Sequence, residues 1–478
     1  MSQSNNALLE QIVLRASGTR ASSGNHIEIL LDSTENFPAW EAAILAAQES
    51  VCIEMYIIAN NAFGKRIRQI LLDKLAQGIA VAIVYDWLGS LPASVFGYFR
   101  PLIQAGATVR AYHPPSRALG LSFISRNHRK SIIIDEKIAF VSGLCISSNW
   151  QGDAAKNIAP WRDTGLKLTG PIVQEVLAAF TDSLQSQGGK LPARLRNYEA
   201  GEGSPCGNAA ARVLATTPDN INTMRLDLNL IGLARQNLWL TDAYFMPTRM
   251  YVQALINAAN AGVDVRILVP RTSDIKWIGT VSRTQYRSLL EAGVRVFEWN
   301  GTMLHAKSAL IDGQWARVGS TNLNLSSWYA NRELDISIED PNTVYQLERI
   351  FLNDLNQATE VILDAQSHAR LRENRSQTFA GLKKLHPDQL RLAWRQIMQL
   401  SLAFDTSDYA TRWVAPSEAW ASLSIGISLI LFAVFLYFVP QILLYPLLLI
   451  LGLSGGIAVW QASKRLWQVR QNQANRQK

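Results

Sequence analysis

The stretch NHRKSIIIDEKIAFVSG, residues 127–143, holds a His, a Lys two positions later and an Asp five positions after that, around a run of isoleucines. The same steps recur in LHAKSALIDGQWARVGS, residues 304–320. Two copies of so specific a spacing indicate a duplicated unit rather than a coincidence. The six residues predicted to form one catalytic constellation are His128, Lys130, Asp135, His305, Lys307 and Asp312.

The repeat extends well beyond the two motifs. In each half a helical pattern ends at a glycine and is followed by an apolar strand, as in LAQGIAVAIVYDW and ANAGVDVRILVP, so that Gly78 matches Gly262 and Gly106 matches Gly293. Near-continuous apolar strands are typical of a sheet that helices cover on both faces. The sequence therefore predicts an α/β fold, made of two α/β sandwich domains related by a pseudo-twofold axis.

The carboxyl-terminal part differs in composition. Residues 419–463 contain no Asp, Glu, Lys or Arg over 45 positions. Because one helical crossing takes about 20 residues, this length predicts a transmembrane helical hairpin that turns near Pro440. Trp420 and Trp460 stand at its ends, and the basic tail that follows predicts that both ends face the cytoplasm. A buried helix pair in a large core is the alternative.

These patterns divide the chain into six segments. They are an N-terminal segment (1–24), a first α/β domain (25–205), a second α/β domain (206–370), a basic juxtamembrane region (371–418), the transmembrane hairpin (419–463) and a basic cytoplasmic tail (464–478). The juxtamembrane region is interpreted either as a helix on anionic headgroups or as a solvated helix packed on the domain. The net charge of +8 favours anionic partners in general.

Two histidines and two lysines around one cleft suit phosphodiester chemistry. One His can attack phosphorus while the other protonates the departing alkoxide and later activates the incoming hydroxyl. Two Lys side chains can neutralise the non-bridging oxygens, as Mg²⁺ does in many phosphoryl-transfer sites. A metal site built from the His and Asp residues is the competing interpretation, but the lysines of the same motifs would oppose a divalent ion. We therefore predict no metal and no cofactor.

The sequence resembles the phospholipase D superfamily, and within it the bacterial cardiolipin synthases, over residues 25–365. The resemblance rests on the paired motif and on the stretches IEMYII, YDWLGS, WRDTGLKLTGPIV, DAYFMP and NRELD, which occur in that order. It implies a pair of phospholipase D-type domains, with His128 as nucleophile and His305 as general acid and base; the pseudo-symmetry leaves the reverse assignment open. It further implies that the phosphate is bound by Ser320 and Asn322, and that Glu333 and Asp163 support the histidines.

The first motif departs from the family pattern after its Asp. Where Gly-Gly-x-Asn is usual, this chain has Ser142, Gly143, Leu144 and Cys145. A thiol cannot replace the two N–H donors of a carboxamide, so phosphate contacts in this half are expected to be weaker or to come from Ser142, Ser147 or Asn149. The carboxyl-terminal position of the membrane segments is a second departure, because many of these synthases carry them at the amino terminus.

The resemblance and the anchor together imply a membrane-bound phosphatidyltransferase. It would carry a phosphatidyl group on a phosphohistidine to an alcohol such as phosphatidylglycerol, with anionic phospholipids and the bilayer as partners and no nucleic acid. The expected location is the bacterial inner membrane, with the catalytic domains on the cytoplasmic side. The alternatives are a phospholipase D-type hydrolase, a nuclease of the same superfamily, and a catalytically silent lipid-binding protein.

Overall fold

A computed structural model describes residues 3–114, 125–192, 195 and 204–363 of the protein. The chain separates into two units, Met1–Ser376 and Gln377–Lys478, and all described residues lie in the first. The predicted hairpin, the basic tail and the juxtamembrane region fall outside the described residues. Within the part that is described, no helix combines the length and apolar character needed to cross a bilayer.

Ten α-helices and fifteen β-strands are present in the described ranges. The helices are α1 (Gln3–Ser17), α2 (Asp32–Ala46), α3 (Ala62–Ala76), α4 (Leu91–Val95), α5 (Arg100–Gln104), α6 (Ile172–Ser186), α7 (Asn222–Leu233), α8 (Arg249–Asn260), α9 (Lys276–Glu291) and α10 (Pro341–Leu355). The strands are β1 (Ser22–Leu31), β2 (Ser50–Met55), β3 (Ala80–Asp86), β4 (Thr108–Tyr112), β5 (Ser131–Ile134), β6 (Ile138–Ser142), β7 (Thr164–Thr169), β8 (Ala209–Thr216), β9 (Asn237–Thr241), β10 (Asp264–Pro270), β11 (Arg295–Trp299), β12 (Ser308–Ile311), β13 (Trp315–Gly319), β14 (Glu333–Ile338) and β15 (Ala358–Val361).

The strands form one continuous sheet in which the first seven and the next seven strands follow the same order. From the centre outward the order is β1-β7-β6-β5-β2-β3-β4 on one side and β8-β14-β13-β12-β9-β10-β11 on the other, with β15 added beside β11. β1 and β8 pair antiparallel and join the two halves. The predicted repeated α/β fold of the phospholipase D type is confirmed, with the addition that the two halves share a single sheet. The domain boundaries at 25, 206 and 370 remain predictions.

Helices cover both faces of this sheet, as the apolar strands predicted. Along β3, Val81 and Ile83 pack toward α2, α3 and α5, whereas Ala82 and Val84 pack into a cluster shared with α6 and α10. In the second half α7 and α8 contribute to the core on the other face. Because alternate side chains of a strand point to opposite faces, a strand buried on both must be apolar throughout.

The topology brings both motifs to the same edge of the sheet. β5 runs antiparallel to β2, so that Ser131 lies opposite Glu54 at the carboxyl end of β2, and β12 is placed in the same way beside β9. The residues just before β5 and β12 carry the histidines. Two isolated parallel bridges, Asn127 with Arg332 and Arg162 with Leu304, then bind each of these segments to the opposite half.

Candidate active site

Each motif histidine is hydrogen-bonded to a carboxylate of the other half. The Nδ1 atom of His128 lies 2.8 Å from Oε2 of Glu333, and Nδ1 of His305 lies 2.8 Å from Oδ2 of Asp163. An ionised carboxylate can only accept a hydrogen bond, so each Nδ1 carries the proton. The Nε2 atom of each ring is left with its lone pair, which is the form that a nucleophile or a general base requires.

Backbone hydrogen bonds between the halves hold each histidine next to the carboxylate of the other half. The amide of His128 donates to the carbonyl of Arg332 at 2.9 Å, and the amide of His305 donates to the carbonyl of Arg162 at 2.7 Å. Arg332 and Arg162 directly precede the two carboxylates in the chain. Each histidine and the carboxylate that orients it are therefore held by the same short bridge between the halves.

The two motif lysines lie beneath the histidines. Lys130 Nζ donates to the carbonyl of His128 at 2.5 Å, and Lys307 Nζ donates to the carbonyl of His305 and lies 3.0 Å from its Nδ1. Both side chains are almost fully buried. Their ammonium groups stand 5.3 Å and 5.7 Å from the ring centroids of Tyr56 and Tyr244, respectively. The site therefore contains two buried lysine ammonium groups, held in place beside the histidines by hydrogen bonds.

The same two tyrosines stand against the histidines. The ring of Tyr56 meets that of His128 edge-on with centroids 5.0 Å apart, and Tyr244 meets His305 in the same manner at 5.8 Å. Trp150 is also edge-on to His305, at 5.4 Å. With these rings in place, only 8 % of His128 and 4 % of His305 is exposed. The reacting groups therefore lie in a site with little access to bulk water.

Burial sets the protonation states of the site. Burial, and then the charge of Lys307, lowers the pKa of His305 to about 4, and burial with Lys130 also lowers the pKa of His128. Burial lowers the pKa of Lys307 to about 8. Burial alone would raise the pKa of Glu333, but the adjacent His128 outweighs it and holds that pKa below its ordinary value. The resting site accordingly has neutral histidines and ionised carboxylates.

Asp163 has the same electrostatic balance on the other side of the site. Its burial raises the pKa, yet the adjacent His305, through its hydrogen bond, and the charge of Lys307 bring the pKa below its ordinary value. Because both carboxylates stay ionised, each can stabilise positive charge that develops on its histidine during a reaction.

The structure does not bring the two motif aspartates to the histidines. Asp135 accepts hydrogen bonds from the backbone amides of residues 48–50 at 2.7–2.9 Å, and Asp312 accepts from those of residues 235–237 at 2.7–3.0 Å. They follow the far ends of β5 and β12, about 15 Å along the strand from the lysines. Their expected place in the catalytic constellation is therefore corrected: they fasten the chain that enters β2 and β9.

The second half places the predicted phosphate ligands around Glu333. The hydroxyl of Ser320 donates to Oε2 of Glu333 at 2.6 Å and accepts from the amide of Leu334 at 2.9 Å. Ser320 therefore supports the carboxylate that orients His128, and its expected contact with phosphate stays a prediction. Asn322 is buried beside it, and its Oδ1 atom has no hydrogen-bond partner among the described residues.

In the first half, different residues surround Asp163, the carboxylate that corresponds to Glu333. Gly143 occupies the position of Ser320 in the repeat, and a Cβ atom there would collide with the carboxylate of Asp163. The indole of Trp150 donates to Oδ2 of Asp163 at 3.3 Å instead. Ser142, predicted to contact phosphate, accepts from the amide of Leu144 at 3.2 Å, and Cys145 is fully buried with a thiol pKa that burial raises.

Ser147 and Asn149, the other residues considered for phosphate contacts in this half, are engaged locally. The Ser147 hydroxyl accepts from the Asn61 side chain at 3.0 Å and from the Asn149 amide at 3.3 Å.

Several residues of the site were missed from the sequence. Tyr56 and Tyr244 lie in stretches that were recognised only as whole motifs, and their position shortly after the ends of β2 and β9 was the available signal. Trp150 lies outside those stretches, in a short 3-10 helix. Asp242 was also missed: it is fully buried, accepts from the amide of Leu323 at 2.9 Å, and has a pKa that burial raises to about 7. In the described ranges no three His, Cys, Asp or Glu side chains are grouped as metal ligands.

A duplicated α/β fold with two exchanged His–carboxylate pairs and two buried lysines is an arrangement of the phospholipase D class. The family described as "Cardiolipin synthase, PLD-like domain" matches residues 40–179 and 228–355. The chain belongs to this family, and it is an enzyme of the phosphatidyltransferase class.

Named relatives and a solved structure agree with this assignment. The chain is 30% identical over 362 residues to a cardiolipin synthase of Halalkalibacterium halodurans, with 74% of this chain and 71% of the relative covered. It is 31% identical over 344 residues to cardiolipin synthase A of Pseudomonas putida, with 71% and 70% covered. The crystal structure of a Haemophilus influenzae phosphatidylserine synthase shares the fold, with a TM-score of 0.56, 14% identity and coverage of 79% of this chain and 93% of that one.

Proposed function

We propose that the protein is a membrane-bound phosphatidyltransferase of the cardiolipin synthase type, which moves a phosphatidyl group from one phosphatidylglycerol to the headgroup hydroxyl of a second. The observation that carries this proposal is the exchanged pairing of His128 with Glu333 and of His305 with Asp163, each at 2.8 Å. It provides two oriented Nε2 atoms in one closed site, which is what a two-step displacement at phosphorus needs.

In the first step His128 is the nucleophile. Its Nε2 lone pair forms the P–N bond while the P–O bond to the leaving glycerol breaks, and the departing oxygen takes a proton from Nε2 of His305. The bound diester anion favours the protonated form of His305, whose pKa is low in the empty site. Glu333 stabilises the positive charge on the phosphohistidine ring through the Nδ1 hydrogen bond.

The second step reverses the proton transfer. Neutral His305 takes the proton from the hydroxyl of the second phosphatidylglycerol, whose oxygen attacks phosphorus as the P–N bond breaks. Cardiolipin leaves, and His128 regains its lone pair. Asp163 holds the His305 ring in place and stabilises the imidazolium that forms.

Lys130 and Lys307 neutralise the non-bridging oxygens in both steps. They approach the site from opposite halves, and their charges also lower the pKa values of the two histidines. Asn322, with its side chain buried next to Ser320, is a further candidate phosphate donor in the second half. Asp135 and Asp312 take no chemical step in this mechanism.

The exclusion of water favours transfer over hydrolysis. An alcohol competes with water at 55 M only where the site excludes bulk solvent, and the two histidines are 8 % and 4 % exposed. We further propose that residues 419–463 anchor the chain in the bacterial inner membrane, with the domains 25–205 and 206–370 on the cytoplasmic side, because this stretch is uncharged and a basic tail follows it.

The test uses the full chain, purified in detergent and incubated with labelled phosphatidylglycerol in the presence of chelator. Cardiolipin and glycerol are the expected products, and His128→Ala and His305→Ala should abolish both. His26→Ala, which changes an exposed histidine of β1, is the matched control. Phosphatidic acid alone would identify a hydrolase, and absence of any product would favour a silent lipid-binding protein.

A second measurement separates the two histidines. Rapid acid-free denaturation during turnover should trap the labelled phosphatidyl group on His128 in the otherwise intact protein, and digestion with mass spectrometry locates it. Label on His305 instead would reverse the assignment of nucleophile and general acid.

A further inference from the structure

Two exposed apolar stretches occupy equivalent places in the repeat. After β3, Leu88, Val95 and Phe96 are 41, 62 and 77 % exposed. After β10, the strand that corresponds to β3 in the second half, Ile275, Trp277 and Val281 are 38, 60 and 39 % exposed. We call residues 88–96 and 275–281 the two rim segments. Single exposed apolar residues are common, but two matched clusters are not explained by the packing of the fold.

Both rim segments are attached to a tyrosine of the active site. In the first half the Ser90 hydroxyl donates to the carbonyl of Tyr56 at 3.2 Å, and Gly89 lies so close to the Tyr56 ring that a side chain would collide with it. In the second half the Tyr244 hydroxyl donates to Asp274 at 3.0 Å. Since these tyrosines stand against His128 and His305, each rim segment begins beside the catalytic group of its own half.

We propose that the two rim segments are a docking surface for the lipid bilayer, by which the catalytic unit places its site against the interface that holds both substrates. This inference rests on the proposed function. Phe and Trp with aliphatic neighbours are the side chains that partition into the interface. Exposed Arg100 lies four positions after the first segment and exposed Arg271 four positions before the second, where anionic headgroups would meet them.

A bilayer suits this surface better than a second copy of the chain. A protein partner that covered both segments would also cover the surface beside Tyr56 and Tyr244, whereas a bilayer supplies the diacyl substrates from that side. The uncharged residues 419–463 already predict that the chain is held at a membrane. The anchor alone would keep the catalytic unit near the membrane, and docking of the two rim segments would orient its site toward the bilayer.

The first experiment measures immersion in the bilayer. The full chain carries the substitution Cys206→Ser, which removes the exposed thiol; the other two cysteines, Cys52 and Cys145, are buried. Phe96→Cys and Trp277→Cys are labelled with a small fluorophore in vesicles of phosphatidylglycerol and phosphatidylethanolamine that contain an acyl-chain quencher. The control is Leu45→Cys, whose position is 53 % exposed on α2, near the amides that bind Asp135 and thus at the opposite edge of the sheet.

We expect several-fold stronger quenching at positions 96 and 277 than at position 45. Equal, weak quenching at all three positions would overturn the proposal. Labels that are shielded from aqueous iodide but not quenched from the lipid would assign the surface to protein contact, which also overturns it. The substituted side chains are largely exposed, so loss of the fold is not expected to obscure the result.

The second experiment measures activity on two physical forms of the substrate. For Phe96→Ser combined with Trp277→Ser, the ratio of turnover on vesicles to turnover on monomeric short-chain phosphatidylglycerol should fall by about tenfold. Leu45→Ser should leave this ratio at the wild-type value, and an unchanged ratio in the double variant would contradict the docking role. If wild-type protein turns over neither form, the proposed function fails, and the quenching result still decides the surface on its own.

Discussion

Glu333 lies 205 positions after His128 in the chain, yet its Oε2 atom accepts the Nδ1 hydrogen of that histidine at 2.8 Å and the hydroxyl hydrogen of Ser320 at 2.6 Å. The carboxylate therefore joins the histidine of the first half to the glycine–serine loop of the second. Together with Asp163, which orients His305 in the same way, it joins the two halves into one site.

Glu333→Gln should lower kcat by about a hundredfold or more. The amide keeps the shape of the side chain but removes the charge that stabilises an imidazolium and can turn its NH₂ group toward His128, which favours the wrong tautomer. Ser320→Ala removes the 2.6 Å bond to Glu333 and the 2.9 Å bond from the Leu334 amide, and should cost about tenfold. Turnover measured in detergent tests both, and a Glu333→Gln protein as active as wild type would contradict this role.

The buried His305 predicts a loss of stability in mild acid. Its pKa is about 4 in the folded protein against an ordinary value near 6.5, so the unfolded chain binds more protons between these values and the free energy of unfolding falls as the pH decreases from 6.5 toward 4. The full contribution is about 3 kcal/mol. His305→Gln should flatten the pH dependence of the thermal midpoint in this window, whereas His26→Gln should not. A slope unaltered by His305→Gln would show that other groups dominate.

The two motif aspartates should affect stability more than turnover. Asp135→Ala removes three charge-assisted hydrogen bonds and places alanine at a φ of 51°, so we expect a loss of about 2–3 kcal/mol in the free energy of unfolding. Asp135→Asn keeps one acceptor and tolerates that φ, and should cost about 1 kcal/mol. Denaturant titration gives both values. A large fall in kcat of the folded Asp135→Asn protein would contradict a purely structural role and show that Asp135 contributes to catalysis.

Gly143→Ala should impair the His305 side of the site. The added methyl group collides with the Asp163 carboxylate, which must move away from His305 and from the Trp150 indole. We expect a loss of about 1–3 kcal/mol in stability and a fall in kcat of about tenfold or more. Gly232→Ala is the matched control, since it adds a methyl group in open space on α7 and should be neutral or slightly stabilising. Wild-type turnover in Gly143→Ala would show that Asp163 tolerates displacement.

Much of the fold and part of the site could be predicted from the sequence. The duplicated motif and the apolar strands predicted the repeated α/β fold, because burial on both faces of a sheet leaves a direct trace in composition. The His and Lys of each motif are two positions apart and reach the same edge of the sheet. Asp135 does not reach His128 because the two residues flank opposite ends of β5, which the motif spacing itself does not reveal.

The exchange of partners could not be predicted from spacing. Asp163 and Glu333 were connected with the histidines only by resemblance, since contacts across 142 and 205 positions depend on how the halves meet. The same holds for Gly143 and Ser320, which occupy equivalent positions but differ in their contacts. The local sequence pattern determines which residues lie at the end of a strand, whereas the opposite half of the protein determines which residues they contact.

Because each catalytic histidine is oriented by a carboxylate of the other half, the active site is complete only when both halves have folded together. During synthesis the first half leaves the ribosome with His128 but without Glu333, and its Asp163 has no histidine to orient. A chain truncated before residue 304 therefore carries neither oriented pair, and a newly made protein acquires both only when the segments with His305 and Glu333 have met the first half. For an enzyme of the phosphatidyltransferase class, the order of assembly therefore also determines when the chain becomes reactive.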